Sequence, residues 1–169
     1  ACVLAANGIQ TFLFSSLHSV PQLSFAVRHL NCMAGVVITA SHNPSKYNGY
    51  KVYWAYGGQA APEQAAAIFD AIQRVPMFGP RMMDYDQALA SGRLTLVGTE
   101  EDEAYFAATE GLLLDPDLVR RRGGDLPIVY TPLHGTGAVP VKELLTRVGL
   151  TNVFTVPDQV APDGRFPTV

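Results

Sequence analysis

The residues best equipped for chemistry stand together in one polar loop, Thr39-Ala40-Ser41-His42-Asn43-Pro44-Ser45-Lys46-Tyr47-Asn48-Gly49, with Lys51 just beyond it. Ser41 offers a hydroxyl that can contact or carry a phosphoryl group. His42, Asn43, Lys46 and Lys51 are donors able to hold phosphate oxygens. The loop follows the apolar run Val36-Val37-Ile38, and in α/β proteins ligands gather in the crevice at the carboxyl ends of strands. The same residues also fit a plain strand-to-turn connection, because Asn43-Pro44 and Asn48-Gly49 are strong turn signals. Lys46 is expected to be a solvated charge.

A second polar stretch, Tyr130-Thr131-Pro132-Leu133-His134-Gly135-Thr136-Gly137, sits between a strand-like run and a helix-like run. Glycines there can let a phosphate approach helix amides. Pro140 occupies the place of a third glycine, so a dinucleotide site is not expected. His134 is open to two readings, a satisfied loop histidine or a phosphate-contacting one. Of Tyr53 and Trp54, adjacent on a strand, one is expected in the core rather than in a stacking platform.

These loops need elements to hold them. A helix tail over Ala1–Asn7 is stopped by Asn7-Gly8, followed by a strand from Ile9 to Phe14. A helix opens at Val20-Pro21 with Leu23, Ala26, Val27 and Leu30 on one face. Strands follow at Val36–Thr39 and Lys51–Ala55, and Pro62 opens a helix with the face Ala65, Ile68, Phe69 and Ile72. Residues 78–93 show no period and read as a connection. After a short strand at Leu94–Val97, Thr99-Glu100-Glu101-Asp102 resembles a capping box, and the next helix is expected to bury Ala104, Ala107, Ala108 and Leu112. Asp115-Pro116 starts a helix ended by Gly123-Gly124. Leu126–Tyr130, Val139–Val148 and Val153–Val156 then read as strand, helix, strand: a right-handed βαβ unit with parallel strands. The fold class is therefore α/β, with mixed and parallel sheets and flanking helices, divided into units at 1–93 and 94–169.

Composition narrows the function. With 169 residues, 48% of them hydrophobic, the chain has enough apolar material for a packed core. A net charge of -3 and a pI of about 5.7 disfavour a nucleic-acid partner. The run Arg120-Arg121-Arg122 closes a helix, where it complements the dipole. Cys2 and Cys32 form no metal or disulfide pattern, His18, His29, His42 and His134 have no ligand spacing, and no run is long enough for a membrane span. A cytoplasmic protein without a membrane partner is expected.

The serine loop also resembles a known motif. Thr39-Ala40-Ser41-His42-Asn43-Pro44 with Tyr47-Asn48-Gly49 and Lys51 is similar to the phosphoserine loop of the α-D-phosphohexomutases, the family of phosphoglucomutases and phosphomannomutases. Leu23–Arg28, Lys51–Trp54, Tyr130–Gly137 and Pro162–Thr168 extend the resemblance, toward the bacterial phosphoglucomutase and phosphopentomutase-like branch. It implies two partial α/β domains of a four-domain enzyme that interconverts glucose 1-phosphate and glucose 6-phosphate through a phosphoserine and a hexose 1,6-bisphosphate. Mannose and pentose phosphates are alternative substrates, and a non-catalytic sugar-phosphate binding module is the alternative role.

By position, the resemblance makes Ser41 the phosphoryl carrier and a magnesium ligand. His42 becomes a phosphate contact, Asn43 a loop-fixing or phosphate-binding residue, and Lys51 the proton acceptor and donor for the sugar hydroxyl. Glucose 1,6-bisphosphate is the implied activator. The family's acidic metal loop, DGDxDR, does not occur in the sequence, and neither do its later domains. The 169 residues alone are thus expected to bind magnesium poorly and to be inactive, and an open sheet edge is expected to favour self-association.

Overall fold

The computed structural model describes residues 1–169. Helix α1 (Cys2–Ala6) stops where Asn7 bonds back to the Val3 and Leu4 carbonyls and Gly8 takes a φ of 78°, the left-handed stop read from the sequence. The Ile9 amide returns to the Leu4 carbonyl, so strand β1 begins only at Thr11 and runs to Phe14. Ser19 and Gln22 form a reciprocal capping box that starts helix α2 (Val20–His29). Ala26 and Val27 are its buried apolar residues, and α2 lies against strand β2 (Ala34–Ile38). Gly35 permits that approach: a Cβ there would stand 2.5 Å from Val27 Cγ2.

Strand β3 (Tyr50–Trp54) pairs antiparallel with β2, from Ala34 opposite Trp54 to Ile38 opposite Tyr50. The polar loop 39–49 is therefore the far end of a hairpin-like pair. Tyr53 is the buried aromatic and Trp54 is half-buried. Helix α3 (Pro62–Gln73) carries the expected apolar face, but the chain leaves most of it open: Ile68 is half-buried, Phe69 is 61% exposed and no residue of the helix is fully buried.

The stretch 78–93 departs from the expected connection. It contains helix α4 (Tyr85–Ala90), capped by Asp84, whose side chain accepts from the amides of Asp86 and Gln87. Strand β4 (Leu94–Val97) then pairs in parallel with β1, from Thr11 opposite Leu94 to Phe14 opposite Val97. Ala5, Ala88 and Leu94 form a small core between these elements, with Met83 and Leu89 packed on it. Sheet pairing thus joins residues 94–97 to the first unit, across the division expected at 93/94. A strand's partner is a long-range fact that local periodicity does not encode.

Helix α5 (Thr99–Glu110) starts one residue earlier than the expected box. Gly98 is its cap, and Glu101, not Asp102, reaches back to accept from the Gly98 amide at 2.9 Å. Asp102 instead faces α2, accepting from Gln22 Nε2 at 2.7 Å and meeting His18 Nε2 at 3.1 Å. The expected alanine face is also displaced. Glu101 and Phe106 are the buried residues, Ala107 and Ala108 are exposed, and Leu112 lies beyond the helix end.

In the second unit, Asp115 caps helix α6 (Pro116–Arg122) by accepting from Leu118. Strand β5 (Ile128–Tyr130), helix α7 (Ala138–Val148) and strand β6 (Val153–Thr155) form the βαβ unit with parallel strands, and Gly149 ends α7 at a φ of 98°. Arg147 of α7 ties this unit to α5. It grips both oxygens of Glu103, pairs with Glu143 at 2.7 Å and lies over the Phe106 ring at 4.6 Å. The architecture is α/β with parallel and antiparallel strand pairs. No helix is long and apolar enough to cross a membrane.

Candidate functional site

The serine loop is closed at its base by backbone pairing, with the Thr39 amide donating to the Gly49 carbonyl at 2.9 Å. Gly49 is required there, because a Cβ would run into the Thr39 carbonyl oxygen. Ser41 stands at the turn with a φ of 57°, its amide donating to Thr39 Oγ1 at 3.0 Å. A left-handed backbone at a non-glycine residue costs on the order of 1–2 kcal/mol and persists only where its surroundings impose it. The turn continues with Asn43 donating to the Ala40 carbonyl and Tyr47 to the Pro44 carbonyl, both at 3.0 Å. Ser41 Oγ is exposed and hydrogen-bonded to His42 Nδ1 at 3.2 Å.

Lys51 enters from β3. Strand alternation puts it on the same face as buried Tyr53, opposite Val37 of β2. Thr39, Ser41, His42 and Lys51, with Val20 from the start of α2, form one side of a cleft of about 640 Å³. The loop after β5 (Pro132, Leu133, Gly135 and Thr136) and the segment after β6 (Phe166 and Val169) form the other. The side chains lining the cleft include a lysine and a histidine but no carboxylate, so its electrostatics favour an anion.

Backbone strain gathers at the same place. Five non-glycine residues have positive φ, and four of them, Ser41, Leu133, His134 and Phe166, line the cleft or adjoin its lining. Bulky Leu133 and Phe166 are the more unusual, since neither has a side chain that eases a left-handed turn. Such clustering marks ligand clamps and active sites.

The structure therefore brings Ser41, His42 and Lys51 together. Asn43 sits further along the turn, outside the cleft lining, where its backbone fixes the loop. Lys46 lies over the Tyr47 ring at 5.2 Å, away from the lining. His134 departs from the phosphate-binding reading. The residue is 5% exposed, with Nδ1 on the Ala161 carbonyl at 3.0 Å and Nε2 on Thr168 Oγ1 at 2.9 Å, so both nitrogens are engaged within the protein. Gly137 has a packing reason as well: a Cβ there would stand 2.5 Å from the Tyr130 hydroxyl. Thr39, Thr136 and Phe166 were not singled out from sequence chemistry as lining residues. All three lie inside segments that carry the family resemblance, Thr39–Pro44, Tyr130–Gly137 and Pro162–Thr168, which is the signal that could have found them.

Magnesium takes several oxygen ligands, most often carboxylates and water. Ser41 Oγ is one oxygen, no carboxylate side chain lines the cleft, and the chain assembles no group of three or more His, Cys, Asp or Glu residues able to hold an ion. Its own residues do not build a magnesium site, and no step below depends on one.

Comparison with known proteins decides the family. The family model for phosphoglucomutase/phosphomannomutase α/β/α domain I matches residues 1–77, and that for domain II matches residues 103–169. The chain belongs to the phosphoglucomutase/phosphomannomutase family. A Staphylococcus saprophyticus phosphoglucomutase is 36% identical over the whole chain, which spans 30% of that relative's length. A human phosphopentomutase is 32% identical over the whole chain and 27% of its own length. In three dimensions, a Thermus thermophilus crystal structure assigned as a phosphomannomutase superposes with a TM-score of 0.78 at 33% identity, covering 98% of this chain and 34% of that one. The chain thus spans about a third or less of the relatives it matches. In this phosphohexomutase-type chain, Ser41, His42 and Lys51 lie in the domain I match, and the loop and segment facing them lie in the domain II match.

Proposed function

We propose that this chain forms the phosphoryl-transfer face of a phosphoglucomutase-type enzyme that interconverts glucose 1-phosphate and glucose 6-phosphate. One observation carries the reading: exposed Ser41, in a strained backbone conformation, shares a cleft with His42 and Lys51 that no Asp or Glu side chain lines. Ser41 Oγ alternately bears and releases the phosphoryl group. When phosphoserine donates, the sugar hydroxyl oxygen bonds to phosphorus, the P–Oγ bond breaks and the hydroxyl proton passes to the Lys51 amine. The resulting hexose 1,6-bisphosphate returns its other phosphoryl group to Ser41, and Lys51 returns the proton to the departing sugar oxygen. The protein's work is to position the groups and to stabilise charge. His42 holds the phosphoryl oxygens, and the loop around Asn43 fixes the approach of Ser41.

Turnover is assigned to a longer chain carrying the rest of the relatives' length. The 169 residues alone are expected to bind sugar phosphate and to accept phosphoryl slowly without completing the cycle. Purified 169-residue chain that interconverts the two glucose phosphates at the rate of a complete enzyme contradicts this division. Mannose and pentose phosphates are the alternative substrates, since relatives bear those names. The lack of Asp and Glu side chains in the cleft lining also supports a second reading, a sugar-phosphate binding module without transfer. Mass spectrometry after incubation with glucose 1,6-bisphosphate separates the two: one phosphoryl group on Ser41 indicates the enzyme, and binding without transfer indicates the module.

A further inference from the structure

We propose that His134 is a positioning residue, the lock that holds the segment 157–169 against the loop after β5 and so sets the cleft wall facing Ser41. The proposal rests on the sugar-phosphate reading of that cleft and adds how its second wall is built. His134 makes four hydrogen bonds to one segment. Its amide donates to the Gln159 carbonyl at 2.9 Å, its carbonyl accepts from the Asp163 amide at 3.0 Å, and its ring nitrogens meet the Ala161 carbonyl and Thr168 Oγ1. A carbonyl only accepts, so Nδ1 carries a proton, and in the neutral ring Nε2 accepts from the Thr168 hydroxyl. Gln159 adds two further ties, accepting from Thr131 Oγ1 at 2.7 Å and donating to the Thr168 carbonyl at 3.4 Å.

The consequence lies at the cleft. Leu133, Gly135 and Thr136 flank His134 in sequence and line the wall, and Phe166 and Val169 line it from the tied segment. Phe166 is fixed by its amide on the Asp163 carbonyl at 3.1 Å, and Val169 in turn by its amide on the Phe166 carbonyl at 3.2 Å. Asp163 is itself clamped by Arg165, with guanidinium contacts of 2.9 and 2.6 Å. Nothing else in the second unit joins the loop to the segment through a buried side chain: of the four buried polar or charged residues in the chain, His134 is the one found there. The left-handed backbone at 133, 134 and 166 then has a reason, since the wall is held in an otherwise unfavourable shape by the ring between its two halves.

The test uses the 169-residue chain with two readouts: amide hydrogen exchange over residues 159–169, and titration with glucose 1-phosphate followed at the Ser41 and Lys51 amides. Thr168→Val removes the Nε2 partner at an exposed position, so the fold is kept. His134→Ala removes both ring bonds, and His134→Asn restores a donor near Nδ1 and tolerates the left-handed backbone. Thr168→Val is expected to speed exchange at Asp163, Phe166 and Val169 about five- to tenfold, as for one lost hydrogen bond. It is also expected to weaken glucose 1-phosphate binding by a similar factor, with His134→Ala weaker still and His134→Asn recovering most of the loss. Unchanged exchange in Thr168→Val and His134→Ala overturns the lock. Faster exchange with undiminished affinity overturns its role at the cleft. A wild-type chain that does not bind glucose 1-phosphate overturns the sugar-phosphate reading instead, while the exchange measurement still decides whether His134 is the lock.

Discussion

Ser41 combines an exposed hydroxyl with a backbone conformation that glycine would adopt more readily. Ser41→Gly is therefore expected to leave the urea midpoint no lower than wild type, because relief of about 1–2 kcal/mol of strain offsets the roughly 0.5–1 kcal/mol entropic cost of glycine. The same substitution abolishes phosphoryl acceptance, the trade expected when function maintains strain. A large fall in midpoint argues against a strained Ser41. Gly49→Ala acts on the same loop from its base: the new methyl meets the Thr39 carbonyl, and a loss of about 1–3 kcal/mol in urea stability is expected, with sugar-phosphate binding weakened. At this scale the sequence was legible where chemistry is local. Ser41, His42 and Lys51 sit close together in the chain. The position of His134 was not legible, because its partners lie 27 and 34 residues later and depend on how the segment after β6 folds back.

Between elements, the small core at Ala5, Ala88 and Leu94 joins α1, α4 and β4. Leu94 is 2% exposed, so Leu94→Ala is expected to cost about 2–5 kcal/mol in urea unfolding. A cost below about 1 kcal/mol would mean that β4 does not anchor the first unit. The tied segment carries a pH signature. Arg165 holds the Asp163 carboxyl well below its ordinary value of 3.8, chiefly through side-chain and backbone hydrogen bonds. A depressed folded-state value means that the stabilisation is complete above the ordinary value and fades as pH falls below it toward the folded value. Amide spectra of Asp163 and Phe166 followed from about pH 6 to about pH 2 are expected to hold until pH drops below the ordinary carboxylate range; loss already near pH 6 contradicts the clamp. Periodicity and capping residues found most elements here, including the whole β5–α7–β6 unit. They missed α4, whose six residues are too few for a period, and placed the α5 box one residue late, since Gly98 caps without a side chain while Glu101 supplies the bond.

Across the whole molecule, three separate two-stranded sheets leave strand edges unpaired, and Phe69, Ile72, Val75 and Phe78 are all exposed. Such edges and apolar faces invite pairing with another copy. Sedimentation velocity is expected to show association that rises with concentration, and a strictly monomeric chain at all concentrations contradicts it. The cleft itself is lined from both the domain I and the domain II matches. Mass spectrometry of the wild-type and Ser41→Ala chains after long incubation with glucose 1,6-bisphosphate, alongside the longer chain proposed to carry turnover, tests the phosphoryl-carrier role most directly. One phosphoryl group on Ser41, absent from Ser41→Ala, is the expected result; no phosphoryl group on Ser41 in either the 169-residue or the longer chain contradicts it.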